Sequence, residues 1–253
     1  MAGWDKIRAA AQRPDCIFSA FPDGTDGAMY HPRSSADETL TKTAANVQIA
    51  NGAFEAPGTG SGYFYDTACH LGGRKHDLTL IAKFTADVPA GEHQYFVAPL
   101  ICGGVGGNHW GIAYQGGKQT FDGTHFTLYP ACGLSYTRTD TEASATFRPY
   151  VGTLAITCGE WHTVALTIGI AEFSADGKFE CYVDGENIFS RTLKSYFNDP
   201  SLLKPGTLET VLPDVATRVN EVIWYTGYTL KTKWAMAFNR CLSAEEIKYL
   251  SED

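Results

Sequence analysis

Between Cys102 and Tyr136 the chain gathers the side-chain types that hold a sugar. Gly103-Gly104-Val105-Gly106-Gly107 precedes Asn108-His109-Trp110-Gly111-Ile112-Ala113-Tyr114, and a second Gly-rich stretch, Gln115 to Gln119, separates these from Phe121-Asp122-Gly123-Thr124-His125. Glycine runs let a backbone come close to a ligand, because no Cβ stands in the way. A sugar is held by planar donors and acceptors around an aromatic face that stacks on the apolar side of the ring. Asn108, His109, Tyr114, Asp122 and His125 supply that mixture as candidate ligand-binding residues. The alternative for the same stretch is structural, with Trp110 and Tyr114 in a core and the glycines in tight hairpins. Cys69, His70 and His76 are zinc-ligand types, but no second pair at ligand spacing follows, so they read as a polar loop. The acid clusters Asp37-Glu38, Glu172 to Glu180 and Glu245-Glu246 read as a loop, a hairpin turn and a helix cap.

The elements that must position these groups are mostly strands. Val164, Leu166, Ile168 and Ile170 alternate with Ala165, Thr167 and Gly169, the period of two expected of a strand. Phe179, Cys181 and Val183 repeat the alternation after Ala175-Asp176-Gly177, so 160–184 reads as a β-hairpin. Further strands are expected at 46–50, 62–66, 77–86, 94–101, 109–114, 125–129, 148–156, 187–193, 218–226 and 228–238. Residues 198–215, with Pro200, Pro205 and Pro213, read as a long loop, because proline cannot donate to a ladder. Trp4, Ile7, Ala10 and Ala11 fall at helical spacing and predict a short amphipathic helix over 3–12, packed on the sandwich or on a neighbouring subunit. Ser243 and Glu246 have capping-box spacing for a last helix. Trp161 is expected in the core. Trp224, Tyr225, Tyr228 and Trp234 form an aromatic patch that, if exposed, marks an interface.

At 253 residues the chain can build an ample core as one domain, 1–253, with 1–45 as an N-terminal helix and loop extension packed on it. Its 26 glycines, 11 prolines and 13% aromatics favour an all-β architecture over a helical one. A net charge of −8 without a basic run repels a phosphate backbone, so no nucleic acid is expected as partner. No apolar run reaches the roughly 18 residues that cross a bilayer. Met1 to Lys6 lacks the apolar stretch of a signal peptide, so the reading is a soluble chain with no membrane insertion. Seven cysteines, an odd number without a Cys-x-x-Cys pair, argue for free thiols and against a disulfide framework.

The strand opened by Trp161-His162, the Tyr182-Val183-Asp184-Gly185 turn and the Asn239-to-Ile247 segment, in that order, resemble the concanavalin A-like lectin/glucanase superfamily in its laminin-G-like branch. The match covers 159–185 and 234–250; Asp77 to Phe84 resembles the first central strand of that family and Val47 to Tyr65 the edge strands before it. The resemblance implies a jelly-roll sandwich of two antiparallel sheets with short N- and C-terminal helices. Glucanases of this fold carry Glu-x-Asp-x-x-Glu on one strand, which places acids about 5–5.5 Å apart in a retaining enzyme. This chain has no such run and no lyase motif, so no catalytic residue is expected, and a glycoside hydrolase or polysaccharide lyase is the least favoured reading. Laminin-G-like domains often hold calcium through loop carboxylates, which implies Asp66, Asp122 and Asp184 as metal candidates, the alternative being no cofactor. The expected function is a non-catalytic, lectin-like carbohydrate-binding or adhesion module whose partner is a glycan or polysaccharide. The alternative is a structural component of a virion or cell-surface assembly, of phage decoration or tail-fibre type, in which the chain forms a homo-oligomer or larger assembly.

Overall fold

The computed structural model describes residues 2–22, 29–30, 41–42, 48–56, 62–70, 73–75, 77–93, 96–101, 111–115, 119–147, 149–170, 177–212, 216–223 and 228–252. The alternating run near residue 165 forms the strand His162–Gly169, paired antiparallel with Leu78–Asp87 on one side and Lys178–Val183 on the other; Leu166 lies opposite both Leu80 and Cys181. Val164, Leu166, Ile168, Leu80, Phe84 and Phe179 point into one core. Ala165, Ile81 and Tyr182 point into a second core behind the sheet. The sheet has nine strands among the described residues: it runs from the edge strand Glu186–Thr192 through these three to Thr229–Phe238, Cys16–Pro22 and Met29–Tyr30. The hairpin Gln48–Ala50/Ala53–Ala56 pairs with the first half of Thr229–Phe238.

A second layer faces the first core. Its five-stranded sheet, ordered Gly111–Gln115, Phe96–Ile101, Ala216–Ile223, Gly62–His70, Thr41–Lys42, contributes Leu100, Ile112 and Val219. The strand pair His125–Leu128/Leu154–Thr157 contributes Phe126 and Ile156. Phe84 and Phe126 meet edge to face at 5.9 Å across the layers. The molecule is thus mainly antiparallel β, with its chief core between layers.

Two helices cover the outer face of the nine-stranded sheet. Ile7, Ala10 and Ala11 of α1 (Ala2–Ala11) and Ile247 and Leu250 of α2 (Ala244–Ser251) bury against Ile81, Ala165, Trp234 and Phe238. Trp4 packs on Phe21 at 6.0 Å, so α1 docks on its own sheet. The capping box of α2 is formed: Glu246 N donates to Ser243 Oγ at 3.2 Å, and Ser243 N donates to Glu246 Oε2 at 2.9 Å. Glu246 also pairs with Arg13 and Arg240, and both arginines pair with Asp15, which links the end of α1 to the start of α2.

Several elements differ from the sequence expectation. Cys16–Pro22 is a strand inside the sheet, where a loop was expected, because it is buried on both faces: Phe18 and Ala20 enter one core, Cys16 and Phe21 the other. Such a strand has no polar side to alternate with. The segment 198–215 holds a 3₁₀ turn, Pro200–Leu202, and a strand, Glu209–Leu212, paired with Leu134–Thr137 and Gly73–Lys75. Trp161 is 41% exposed, not core, because it lies just outside the strand that begins at His162. Tyr228 and Trp234 are each 0% exposed, so this half of the expected aromatic patch is interior; Trp224 and Tyr225 lie outside the described residues. A register shift between Thr232 and Trp234 explains their separation: Leu230 and Ala235 face the first core, Trp234 and Met236 the second. Cys16, Cys132, Cys158, Cys181 and Cys241 are free thiols, and burial pushes Cys181 up to about 12. Among the described residues no helix is long and apolar enough to cross a membrane.

Candidate functional site

Asp122 and His125 come together in the turn that joins strand Gln119–Phe121 to strand His125–Leu128. Each end of the turn is anchored by a partner, Gly91–His93 for the first strand and Leu154–Thr157 for the second. Asp122 Oδ1 accepts from Thr124 N at 2.7 Å and His125 N at 2.8 Å, and Oδ2 lies 3.0 Å from His125 Nδ1. The His125 side-chain bond, then the two backbone N–H groups, hold the Asp122 carboxyl well below its ordinary range. Gly123 has φ +79° and its Cα faces Ala90, a tight fit for any side chain. The outcome is a preset carboxylate and imidazole, 58% and 52% exposed, that can accept and donate hydrogen bonds at the surface.

Tyr114 lies in strand Gly111–Gln115 opposite Val97. Asn108 and His109 lie outside the described residues. The structure therefore joins two of the five expected ligand-binding residues, Asp122 and His125. Among the metal candidates, Asp66 falls within strand Gly62–His70 and not in a loop. Asp184 occupies the left-handed first position of the Asp184-Gly185 turn, with φ +50°. Its Oδ2 is 2.7 Å from His162 Nδ1, and its Oδ1 accepts from Thr163 N at 2.8 Å. Both carboxylates with described side chains, Asp122 and Asp184, thus lie within hydrogen-bond distance of a protein nitrogen on each oxygen. Among the described residues no three His, Cys, Asp or Glu side chains converge as a metal site.

Burial raises the Asp184 pKa, but the His162 hydrogen bond and the Thr163 N–H outweigh it, and the carboxyl is held below its ordinary value. A depressed folded-state pKa adds stability that is complete above the unfolded value, about 4, and is lost as pH falls through the folded one. Asp184→Asn keeps an acceptor and a residue that tolerates positive φ. This variant is expected to melt below the parent at pH 7, with the gap closing as pH drops below about 4. An equal gap at both pH values in thermal melts would sink the assignment.

Between α1 and α2 lies a cavity of about 460 Å³ floored by Ala9, Ala10 and Leu250. On its rim Lys6 Nζ donates to Tyr249 O at 2.7 Å, and Arg13 lies 2.9 Å from Glu246.

A second surface constellation escaped the sequence reading. Ala131 and Tyr150 form an antiparallel bridge, with Val151 N donating to Pro130 O at 3.0 Å and Cys132 N to Pro149 O at 3.2 Å. Tyr150 is 57% exposed on this frame. Thr153 Oγ1 donates to Tyr129 Oη at 3.0 Å, and Tyr196 Oη donates to Tyr150 O at 3.1 Å. The dipeptides Tyr129-Pro130 and Pro149-Tyr150 were the available signal, since proline stiffens the backbone beside each ring.

No protein-family model matches the chain, and no curated protein matches it. In three dimensions it resembles the binding domain of Paraclostridial Mosquitocidal Protein 1, with TM-score 0.57 and 11% identity over 94% of this chain and 52% of that one. The receptor binding domain of the botulinum neurotoxin C/D mosaic serotype gives 0.55 and 12%, over 94% and 51%. The botulinum neurotoxin serotype D ligand binding domain in complex with N-acetylneuraminic acid gives 0.54 and 12%, over 94% and 50%. The chain spans about half the length of these structures. At such identity the likeness is one of architecture: a β-rich fold carried by nearly the whole chain.

Proposed function

We propose that this chain is a non-catalytic glycan-recognition module built on a concanavalin A-like jelly roll. The observation that carries the reading is the likeness of 94% of the chain to a toxin ligand binding domain in complex with N-acetylneuraminic acid. The preset, solvent-facing Asp122–His125 turn supports it, because a carboxylate and an imidazole fixed at a surface suit sugar hydroxyls. The jelly-roll assignment draws on two packed antiparallel layers and on the order of the Trp161-His162 strand, the Asp184-Gly185 turn and the capped α2. The assembly reading loses part of its basis, since Trp4, Tyr228 and Trp234 pack within their own chain. The proposal is read without a metal: among the described residues no three His, Cys, Asp or Glu side chains converge at Asp122 or at Asp184.

The test is a glycan array probed with the full chain, with its mass measured by light scattering. A defined glycan hit supports the reading. A stable oligomer that binds no glycan overturns it in favour of an assembly component.

A further inference from the structure

We infer that the Tyr129–Tyr150–Thr153 surface is a binding site for an uncharged hexopyranose, with the Tyr150 ring as its stacking platform. This inference rests on the glycan-recognition reading and adds a location and a sugar class to it.

Four observations converge. Tyr150 is among the most exposed large apolar side chains described, at 57%, although its backbone is locked into the ladder with Ala131. A ring that gives water most of its surface on a backbone already fixed adds no backbone-ordering cost when a ligand covers it. Tyr196, half-buried, donates to the Tyr150 carbonyl at 3.1 Å, which gives the backbone under the platform a second support. Two residues on, Gly152 has φ +92° and no atom within 4 Å of where a side chain would stand, which leaves its backbone open. Finally, the Thr153 and Tyr129 hydroxyls, on the two segments that the Ala131–Tyr150 bridge joins, lie 3.0 Å apart.

The chemistry selects the sugar class. A pyranose has one face of C–H groups and an edge of hydroxyls. The ring takes the first, and hydroxyl groups and open backbone take the second. Tyr196, its phenol pushed up to about 12 chiefly by burial, is neutral at physiological pH. The platform's own residues are tyrosines, threonine and glycine, none of them charged, and Arg191 is the formal charge that acts on Tyr196.

The experiment titrates the full chain with lactose and with cellobiose while following backbone amide NMR shifts, with 3′-sialyllactose as the charged comparison. Shifts centred on Val151, Gly152 and Thr153 are expected for a neutral sugar. Tyr150→Ala is expected to weaken that binding about tenfold, the size of one aromatic contact, while Tyr150→Phe retains it. Because the side chain is mostly exposed, neither variant should alter the melting temperature appreciably. Absence of shifts at 151–153 with both neutral sugars, or a Tyr150→Ala variant that binds as tightly as the parent, overturns the site. If the array returns glycan hits that Asp122→Ala abolishes and Tyr150→Ala spares, the glycan reading survives and this location falls. If the array returns none, both fall.

Discussion

Replacing Trp234 with alanine is expected to cost about 3–5 kcal/mol of folding stability, the range for deleting a buried large aromatic side chain. Trp234 is the largest fully buried side chain described, at 0% exposure, on the strand Thr229–Phe238. It sits in the core between sheet and helices, with Ile7 of α1 and Ile247 of α2 among its members, so its loss empties the volume that holds both helices down. The surrounding backbone is ladder-bonded to Leu78–Asp87 and Cys16–Pro22 and cannot collapse far into the void. Trp161→Ala provides the contrast. Its ring is 41% exposed, and the expected change is well under that of Trp234. Urea unfolding of the two variants measures both. Comparable losses would mean that the helices and Trp234 do not form one cooperative core.

Gly177→Ala is expected to prevent stable folding, or to cost at least about 3 kcal/mol, the upper part of the range for overpacking. A Cβ at Gly177 would lie 1.9 Å from Gly169 O and 3.0 Å from the Ile170 Cα. The obstruction is backbone, so no rotamer change can relieve it. Both sides are pinned: Gly169 pairs with Lys178, and Leu193 N donates to Gly177 O at 2.7 Å. Relief requires separating the two central strands, which carry Ile168 and Phe179 into the core. Circular dichroism and soluble yield report the outcome. A variant that melts with the parent would show that this strand end opens freely.

The hairpin around 160–184 and the α2 cap were legible in the sequence because each is specified locally. Val164, Leu166 and Ile168 alternate with residues of a different character, and Ser243 and Glu246 satisfy one another within a single turn. The strand Cys16–Pro22 was not legible. A strand buried on both faces has no period, and its place between Thr229–Phe238 and Met29–Tyr30 depends on partners more than two hundred residues away on one side. Trp234 shows the same limit of local pattern. Strict alternation from Leu230 puts it on the side of Leu230, but the shift after Thr232 carries it to the helix face.

The candidate surface divides in the same way. Asp122 and His125 were readable as a pair because they are three residues apart and share one turn. Tyr129, Tyr150 and Tyr196 are far apart in the chain, and only the ladder through Ala131 and the Tyr196 hydrogen bond assemble them. By itself the sequence determined the all-β class, the central hairpin and the capped last helix, since period, turn chemistry and capping act over a few residues. The tertiary structure decided which aromatics are interior and which meet solvent, because burial is set by the neighbours a residue acquires on folding.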